Sequence, residues 1–224
     1  MRNIIATILS VLFIYCQSNA SDALIGKIKS KILSVKDFKA EAMIAINIEF
    51  LKSPVSKATI LYKAPNTVRI VSEGFSMLPK QGAGIPIASL LQSQFTFVDL
   101  PDEMYKGKKC KVMKIFPIAD TGQIIASTIW VDEQKSLVNK MSAITKNGTL
   151  LIEMDYSKKY EQYALPDKVQ LSFDIPPFSL PKSMTGDLLA EKKSNTSKKT
   201  TKGSATITYS NYVINKGFSE SQMK

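Results

Sequence analysis

Residues that commonly carry enzyme chemistry are sparse in this chain. It has no histidine, which excludes the Ser-His-Asp and Cys-His schemes of nucleophilic catalysis and every zinc site built on imidazole. Carboxylates near enough in sequence to pair form two groups, Asp99 with Asp102 and Glu103, and Asp132 with Glu133. Both groups flank predicted turns, where solvated surface acids are the usual occupants. A hydrolase that works through two carboxylates stays open only as a less favoured class of function.

The two cysteines add little chemistry. Cys16 lies in the N-terminal apolar run, and Cys110 lies among lysines in the segment 108–111. Neighbouring ammonium groups lower the pKa of a thiol, but a small apolar residue on a strand is the simpler interpretation of Cys110. We expect no metal and no cofactor, because the sequence has no ligand cluster and no phosphate-binding glycine loop.

The chain is strongly basic, with a net charge of +11 from 30 basic and 19 acidic residues. Such a charge invites a nucleic-acid partner. However, only Arg2 and Arg69 are arginine, the residue preferred for phosphate and guanine contacts. The lysines alternate with apolar residues, as on the solvent face of a sheet. We therefore expect no nucleic-acid partner. Such a surface suits anionic membrane headgroups, and genome composition is an equal explanation of it.

The N-terminus has the pattern of a cleaved secretory signal. A basic start precedes an apolar run over 4–15, and the small residues Ser18 and Ala20 follow, which predicts cleavage before Ser21. The run is shorter than the roughly 20 residues of a membrane helix. The prediction is that residues 1–20 are removed and that the rest lies outside the cytoplasm. A retained anchor helix and a lipid anchor on Cys16 are the alternatives.

Residues 21–224 are predicted to form one domain, a helix followed by about ten antiparallel strands. Leu24, Ile28 and Ile32 recur at helical spacing within 22–35. From residue 38 the apolar period changes to two, and it continues through strands centred near Ile60 and Ile70. Further strand patterns cover 95–98, 110–116, 124–132, 135–145, 149–156, 168–174 and 204–214.

Two apolar segments interrupt the strands. Residues 74–92 contain glycines and prolines that rule out a regular strand, and a short apolar helix is predicted from near Pro86. Residues 175–190 are apolar and proline-rich. A sheet with one apolar face must cover that face, and these segments and the N-terminal helix are the available covers. Residues 191–202 are predicted to be a mobile, lysine-rich loop.

This order of elements resembles the LolA/LolB-like lipoprotein-binding family, and in particular the LolA-type carriers of the bacterial periplasm. The most specific segment is 62–69, Tyr-Lys-Ala-Pro-Asn-Thr-Val-Arg, which is similar to the strand–turn–strand of the family. Weaker similarities lie at 35–40, 129–132 and 211–218. One position departs from the pattern: the best-studied carriers have a lid-latching arginine directly before the proline of that turn, and this chain has Ala64.

The resemblance implies an α+β fold, mainly β with helices: a curved antiparallel unclosed β-barrel, covered by an N-terminal helix and a short helical lid. It implies a monomeric, non-enzymatic periplasmic carrier that binds acyl chains of lipoproteins in an apolar cavity and delivers them toward the outer membrane. Its partners would be acylated lipoproteins or lipids, an inner-membrane release complex and an outer-membrane acceptor. The alternatives are a lipid or glycolipid carrier, a lipoprotein-sensing domain, the hydrolase, and a structural envelope protein with a filled core.

The candidate cavity residues are those on the apolar face of the alternating strands. The candidate lid residues come from the two apolar segments that interrupt the strands. The cavity candidates are Ile44, Ile46, Ile48, Ile60, Tyr62, Val68, Ile70, Trp130, Met154 and Phe173. The lid candidates are Ile85, Ile87, Leu90, Leu91, Phe178 and Leu180. For each of these residues an ordinary core position is the alternative.

Overall fold

The computed structural model describes residues 20–48, 51–52, 55–65, 67–72, 87–118, 124–146, 148–175 and 201–219. A helix, α1, covers 20–33. The strands are β1 (Asp37–Ile48), β2 (Leu51–Lys52), β3 (Ser56–Lys63), β4 (Thr67–Ser72), β5 (Phe95–Tyr105), β6 (Lys108–Pro117), β7 (Ile124–Asp132), β8 (Leu137–Thr145), β9 (Gly148–Asp155), β10 (Lys168–Ile175) and β11 (Thr201–Ile214). A short helix, α2 (Ala88–Gln92), precedes β5, and a 3-10 turn, Glu161–Tyr163, precedes β10.

The strands form one antiparallel sheet in the order β4-β3-β1-β11-β10-β9-β8-β7-β6-β5, and β2 pairs with β1. From β5 to β10 each strand pairs with the next one in the chain, because short connections favour antiparallel neighbours. The long β1–β11 pairing then joins the two ends of the domain. The sheet ends at β4 and β5, so the barrel is not closed. This confirms the predicted fold class.

Helix α1 covers the concave face of the sheet. Leu24, Ile28 and Ile32 are buried, as their spacing predicts. They belong to the same apolar cluster as the inward-facing residues of the strands. The helix runs over 20–33 rather than over the predicted 22–35. Its apolar stripe therefore joins the helix to the sheet in one core.

Polar contacts fix both ends of α1. At its start, the Ser21 hydroxyl donates a hydrogen bond to Asp99 Oδ2 on β5 over 2.8 Å. Near its end, Lys31 Nζ donates to the carbonyl oxygens of Lys135 at 2.6 Å and Glu161 at 3.2 Å. Burial lowers the pKa of Lys31, because its ammonium group loses solvation there. The helix is thus fastened to an edge strand and to the loops beyond β7 and β9.

Strand β5 is longer than predicted. The apolar pattern at 95–98 ends before Pro101 and its acidic neighbours, but the strand continues to Tyr105. An edge strand tolerates a proline, because one side of its backbone has no pairing partner. The register also shifts between Leu100 and Glu103, which accommodates an irregularity at this place. The edge position, which the local sequence does not reveal, explains the difference.

Several predictions concern residues outside the described ranges. They include the secretory signal predicted over 1–20, of which the structure describes only Ala20, the lid candidates Ile85, Phe178 and Leu180, and all but the last two residues of the loop over 191–202. These stay predictions. Among the residues that the structure describes, no helix is both long enough and apolar enough to span a membrane.

Candidate functional site

Two rows of apolar side chains cross the concave face of the sheet. They follow from the strand register, which sets every second residue of one strand beside every second residue of the next. The longer row consists of Met113, Ile129, Met141, Ile152, Leu171, Ala205 and Ile46, from β6 to β1. The shorter row consists of Met154, Val169, Ile207 and Ile44. We call these two rows the apolar wall.

Strands β3 and β4 extend the apolar wall toward the open edge. Ile60 pairs with Ile70, and Tyr62 pairs with Val68. Ile60 and Tyr62 are buried, whereas Val68 and Ile70 are partly buried against the core. The Tyr62 hydroxyl donates to the carbonyl oxygen of Pro65 over 2.8 Å, which ties this side chain to the turn that contains Ala64. This edge therefore continues the apolar surface with side chains that are less enclosed.

The structure brings together eight of the ten cavity candidates. Each of these eight lies in the core cluster or packs against it. These are Ile44, Ile46, Ile60, Tyr62, Val68, Ile70, Met154 and Phe173. For Ile48 the structure gives the backbone position, in β1 opposite Gly203. That these residues contact an acyl chain stays a prediction. Several members of the wall, such as Met113, Met141 and Ile152, are not among the predicted residues, although their strands show the same alternation.

Trp130 lies on the outer face of β7, so its predicted position among the cavity residues is wrong. Its neighbours Ile129 and Val131 belong to the core cluster, whereas Trp130 pairs with Lys140. Its indole nitrogen donates to Glu103 Oε2 over 2.7 Å. Apolar residues occupy both faces of β7, and the register shifts between Trp130 and Val131. The alternation alone could not decide which face is the inner one.

Helix α2 lies against the apolar wall. Ile87, Leu90 and Leu91 are 3 %, 2 % and 1 % exposed and belong to the core cluster. The helix has five residues and no side-chain hydrogen bond at its N-cap. A helix this short is unstable by itself in water, so tertiary contacts must hold it in place. Gln92 at its end also hydrogen-bonds Tyr62.

Aromatic rings pack at one end of the concave face. Phe38 stacks on Tyr62 with centroids 5.2 Å apart. The ring of Tyr212 stands edge-on to Phe38 at 5.3 Å and to Tyr160 at 4.8 Å, and it stacks on Tyr209 at 5.6 Å. Burial raises the pKa of Tyr209 and Tyr212, because a buried phenolate is poorly solvated. Alternation within single strands does not predict this cluster, because its members come from distant segments.

No protein-family model matches the sequence, and no curated protein matches it significantly. Solved structures do match. A DUF1329 family protein from Desulfovibrio piger has a TM-score of 0.57 at 10 % identity, over 91 % of this chain and 96 % of that one. A LolA superfamily protein from Nitrosomonas europaea has a TM-score of 0.54 at 9 % identity, over 91 % and 96 %. This chain has a LolA-like fold.

A third solved structure supports the LolA-like fold. It is a putative outer membrane lipoprotein-sorting protein domain from Vibrio parahaemolyticus, with a TM-score of 0.51 at 12 % identity, over 92 % of this chain and 97 % of that one. At such identities the likeness concerns the fold. It confirms the resemblance that the order of sequence elements indicated.

In the LolA-like fold three of the five grouped carboxylates have cationic partners, and Glu103 accepts the indole N–H of Trp130. Asp132 is 8 % exposed and accepts the backbone N–H of Lys135 over 3.1 Å. The ion pairs are Asp99 with Lys111 at 3.6 Å, Asp102 with Lys109 at 3.0 Å, and Asp132 with Lys108 at 3.8 Å. Acid–base catalysis by two carboxylates needs both groups at one reacting bond, and these contacts do not supply such a pair.

Cys110 is completely buried on β6. Burial raises the pKa of its thiol, an effect opposite to that expected from the neighbouring lysines. A buried thiol with a raised pKa is a poor nucleophile. Among the described residues, no three His, Cys, Asp or Glu side chains come together in a way that could hold a metal ion.

A small cavity of about 160 Å³ lies near the turn between β5 and β6. Met154 and Leu137 provide apolar lining, and the surrounding charges are paired, with Lys106 Nζ 2.7 Å from Asp155 and Lys135 contacting Glu161. An engineered cavity of about 150 Å³ holds one benzene molecule. This cavity is therefore too small for a long acyl chain.

Proposed function

We propose that this chain binds acyl chains of lipids or lipoproteins on its concave face and carries them through an aqueous compartment. The observation that carries the proposal is the apolar wall of an unclosed sheet, with the short helix α2 lying against it. Each CH₂ group of an acyl chain that leaves water gains about 0.8 kcal/mol. The wall offers such a chain an apolar surface of several strands.

In this proposal α2 is the lid. Leu90 and Leu91 of this helix, and Ile87 at its N-cap, make the contacts with the core that an acyl chain would replace. Since α2 has neither the length nor the capping to be stable alone, the cost of moving it is mainly the loss of those contacts. Binding then exchanges one set of apolar contacts for another and needs no covalent step.

In this proposal the lid is held in place without an arginine. The resemblance implies a latching arginine before the proline of the β3–β4 turn, but Ala64 at this position has no side chain that could donate. Its backbone N–H donates to the carbonyl oxygen of Lys36 over 2.8 Å. In this chain the apolar residues of α2 and the contact between Gln92 and Tyr62 take over the function of the latch.

The cargo we propose is the acylated end of lipoproteins, which the protein delivers across the periplasm toward the outer membrane. Similarity in fold to a lipoprotein-sorting domain and to a LolA superfamily protein supports this choice. The predicted secretory signal agrees with it. The proposed partners are a release complex at the inner membrane and an acceptor at the outer membrane, each in transient contact with a monomer.

The first test is native mass spectrometry of the protein purified from the periplasm of a Gram-negative host. We expect mass shifts that organic extraction removes, with acylated species in the extract. The second test uses a fluorescent acyl probe and two neighbouring substitutions on β4. Ile70 packs against the core, whereas Val71 is 46 % exposed on the other face.

Ile70→Asp should weaken probe binding at least tenfold, because a carboxylate would have to be desolvated beside the acyl chain. Val71→Asp should bind like the wild type, and circular dichroism checks that both variants are folded. The proposal would be contradicted if the native mass spectrum showed only the mass of the protein itself and the wild type did not bind the fluorescent probe. Such a result would favour a structural protein with a filled core.

A further inference from the structure

Ser127 has a buried hydroxyl without a hydrogen-bond partner. Among the described residues, Ser127 Oγ and Gln92 Oε1 are the buried side-chain atoms in this condition. Ser127 is 1 % exposed, and its cross-strand neighbours Ile115 and Ala143 are completely buried. Both neighbours belong to the core cluster. The hydroxyl therefore lies on the concave side, beside the apolar wall.

Such a group needs an explanation, because roughly 90 % or more of buried polar groups in native proteins are hydrogen-bonded. A buried water would need two to four polar partners, about three in a typical case, and the cross-strand neighbours of Ser127 are aliphatic. Gln92 is a weaker candidate for a ligand contact, since its side chain already bonds Tyr62. Among the described residues of this face, Ser127 therefore has the buried hydroxyl that lacks a partner and could meet a ligand.

We infer that the Ser127 hydroxyl donates a hydrogen bond to the carbonyl oxygen of the ester or amide at the polar end of a bound acyl chain. The inference rests on the proposed function and specifies which part of the ligand this residue recognises. A neutral carbonyl suits the site, because it accepts one hydrogen bond and carries no charge. A phosphate or carboxylate would have to lose its hydration beside Ile115 and Ala143, which is far more costly.

The consequence is a preference for acyl compounds over hydrocarbons of equal length. It can be measured by displacing a fluorescent apolar probe from the purified protein with methyl laurate and, separately, with dodecane. Ser127→Ala should weaken methyl laurate binding about fivefold, equivalent to about 1 kcal/mol. The same variant should bind dodecane like the wild type, because the alkane accepts no hydrogen bond.

Two controls accompany this measurement. Thr128→Ala removes a hydroxyl from the opposite face of β7, where Thr128 pairs with Lys114 and Ser142, and it should change neither affinity. Thermal unfolding of Ser127→Ala should occur at the wild-type temperature or above it, because the substitution removes an unpartnered buried group.

Equal weakening for both ligands would overturn the inference, since it would indicate a change in cavity shape rather than a lost hydrogen bond. Unchanged methyl laurate binding in Ser127→Ala would overturn it as well, while the proposed function would stand. If neither methyl laurate nor dodecane displaced the probe from the wild-type protein, the proposed function itself would fail, and the inference with it.

Discussion

Lys140 Nζ lies 4.2 Å from the ring centroid of Trp130, on the face of the sheet opposite the apolar wall. The same ammonium lies 5.6 Å from the ring of Tyr105, whose hydroxyl donates to Glu153 Oε1. The indole nitrogen of Trp130 donates to Glu103. Cation–π attraction and these hydrogen bonds hold a polar and aromatic layer on the outer face. The two faces of the sheet therefore differ in chemistry as well as in exposure.

We expect Trp130→Leu to lower the free energy of unfolding by about 1 to 2 kcal/mol, from the lost indole hydrogen bond and the lost cation–π contact. Binding of the acyl probe should not change, because the residue faces away from the wall. Urea unfolding followed by far-ultraviolet circular dichroism measures the first effect, and probe titration measures the second. Lys140→Met removes only the cation and should lower the free energy of unfolding by less than Trp130→Leu does. A loss of probe binding in folded Trp130→Leu would contradict the assignment of faces.

A second prediction concerns the hydrogen bond between Ser21 and Asp99 at the start of α1. In a double-mutant cycle, Ser21→Ala and Asp99→Ala should show a coupling of about 0.5 to 1.5 kcal/mol in the free energy of unfolding. Asp102→Ala is the control: its partner Lys109 has a 73 % exposed side chain, so solvent screens this ion pair and the free energy of unfolding should hardly change. A coupling of zero would show that this contact does not fasten the helix.

A third prediction tests α2 as a lid. Leu91→Ala should lower the free energy of unfolding by about 2 to 5 kcal/mol, the usual cost of truncating a buried leucine. It should also tighten acyl-probe binding several-fold, since weaker contacts of α2 with the core favour the open state. Leu33→Ala on α1, where the leucine is 51 % exposed, should change neither quantity. Weaker probe binding in Leu91→Ala would mean that Leu91 belongs to the binding surface and not to its cover.

A fourth prediction concerns alkaline pH. Burial raises the pKa of Tyr156, Tyr209 and Tyr212. Phenols with a raised pKa in the folded state contribute stability that is fully present below the unfolded pKa of about 10 and is lost as the pH rises above it. The free energy of unfolding should therefore fall above about pH 10, by up to about 1.4 kcal/mol per pH unit for each tyrosine.

Tyr209→Phe isolates one of these groups. Comparing its unfolding with that of the wild type from pH 8 to pH 11 cancels the contributions of the lysines. The stability of the variant should fall less steeply above about pH 10. Parallel pH profiles of the two proteins would show that Tyr209 ionises as easily in the folded state as in the unfolded chain.

Local alternation was sufficient to predict most of the strands and much of the wall. Residues such as Ile44, Ile60 and Met154 were identified because one face of a strand is apolar along its whole length, and this pattern needs no tertiary information. The amphipathic stripe of α1 was equally clear. The continuation of β5 through Pro101 could not be predicted from local sequence, because it depends on the position of this strand at the edge of the sheet.

The sequence by itself therefore determined that this protein is a mainly β domain with one amphipathic helix, because the periods of two and 3.6 are properties of short segments. Only the tertiary structure decided that Trp130 lies outside, that β1 pairs with β11, and that the Ser127 hydroxyl lacks a partner. Alternation separates the two faces of a strand without showing which one is inner. That choice depends on register shifts and on neighbours brought together from distant parts of the chain.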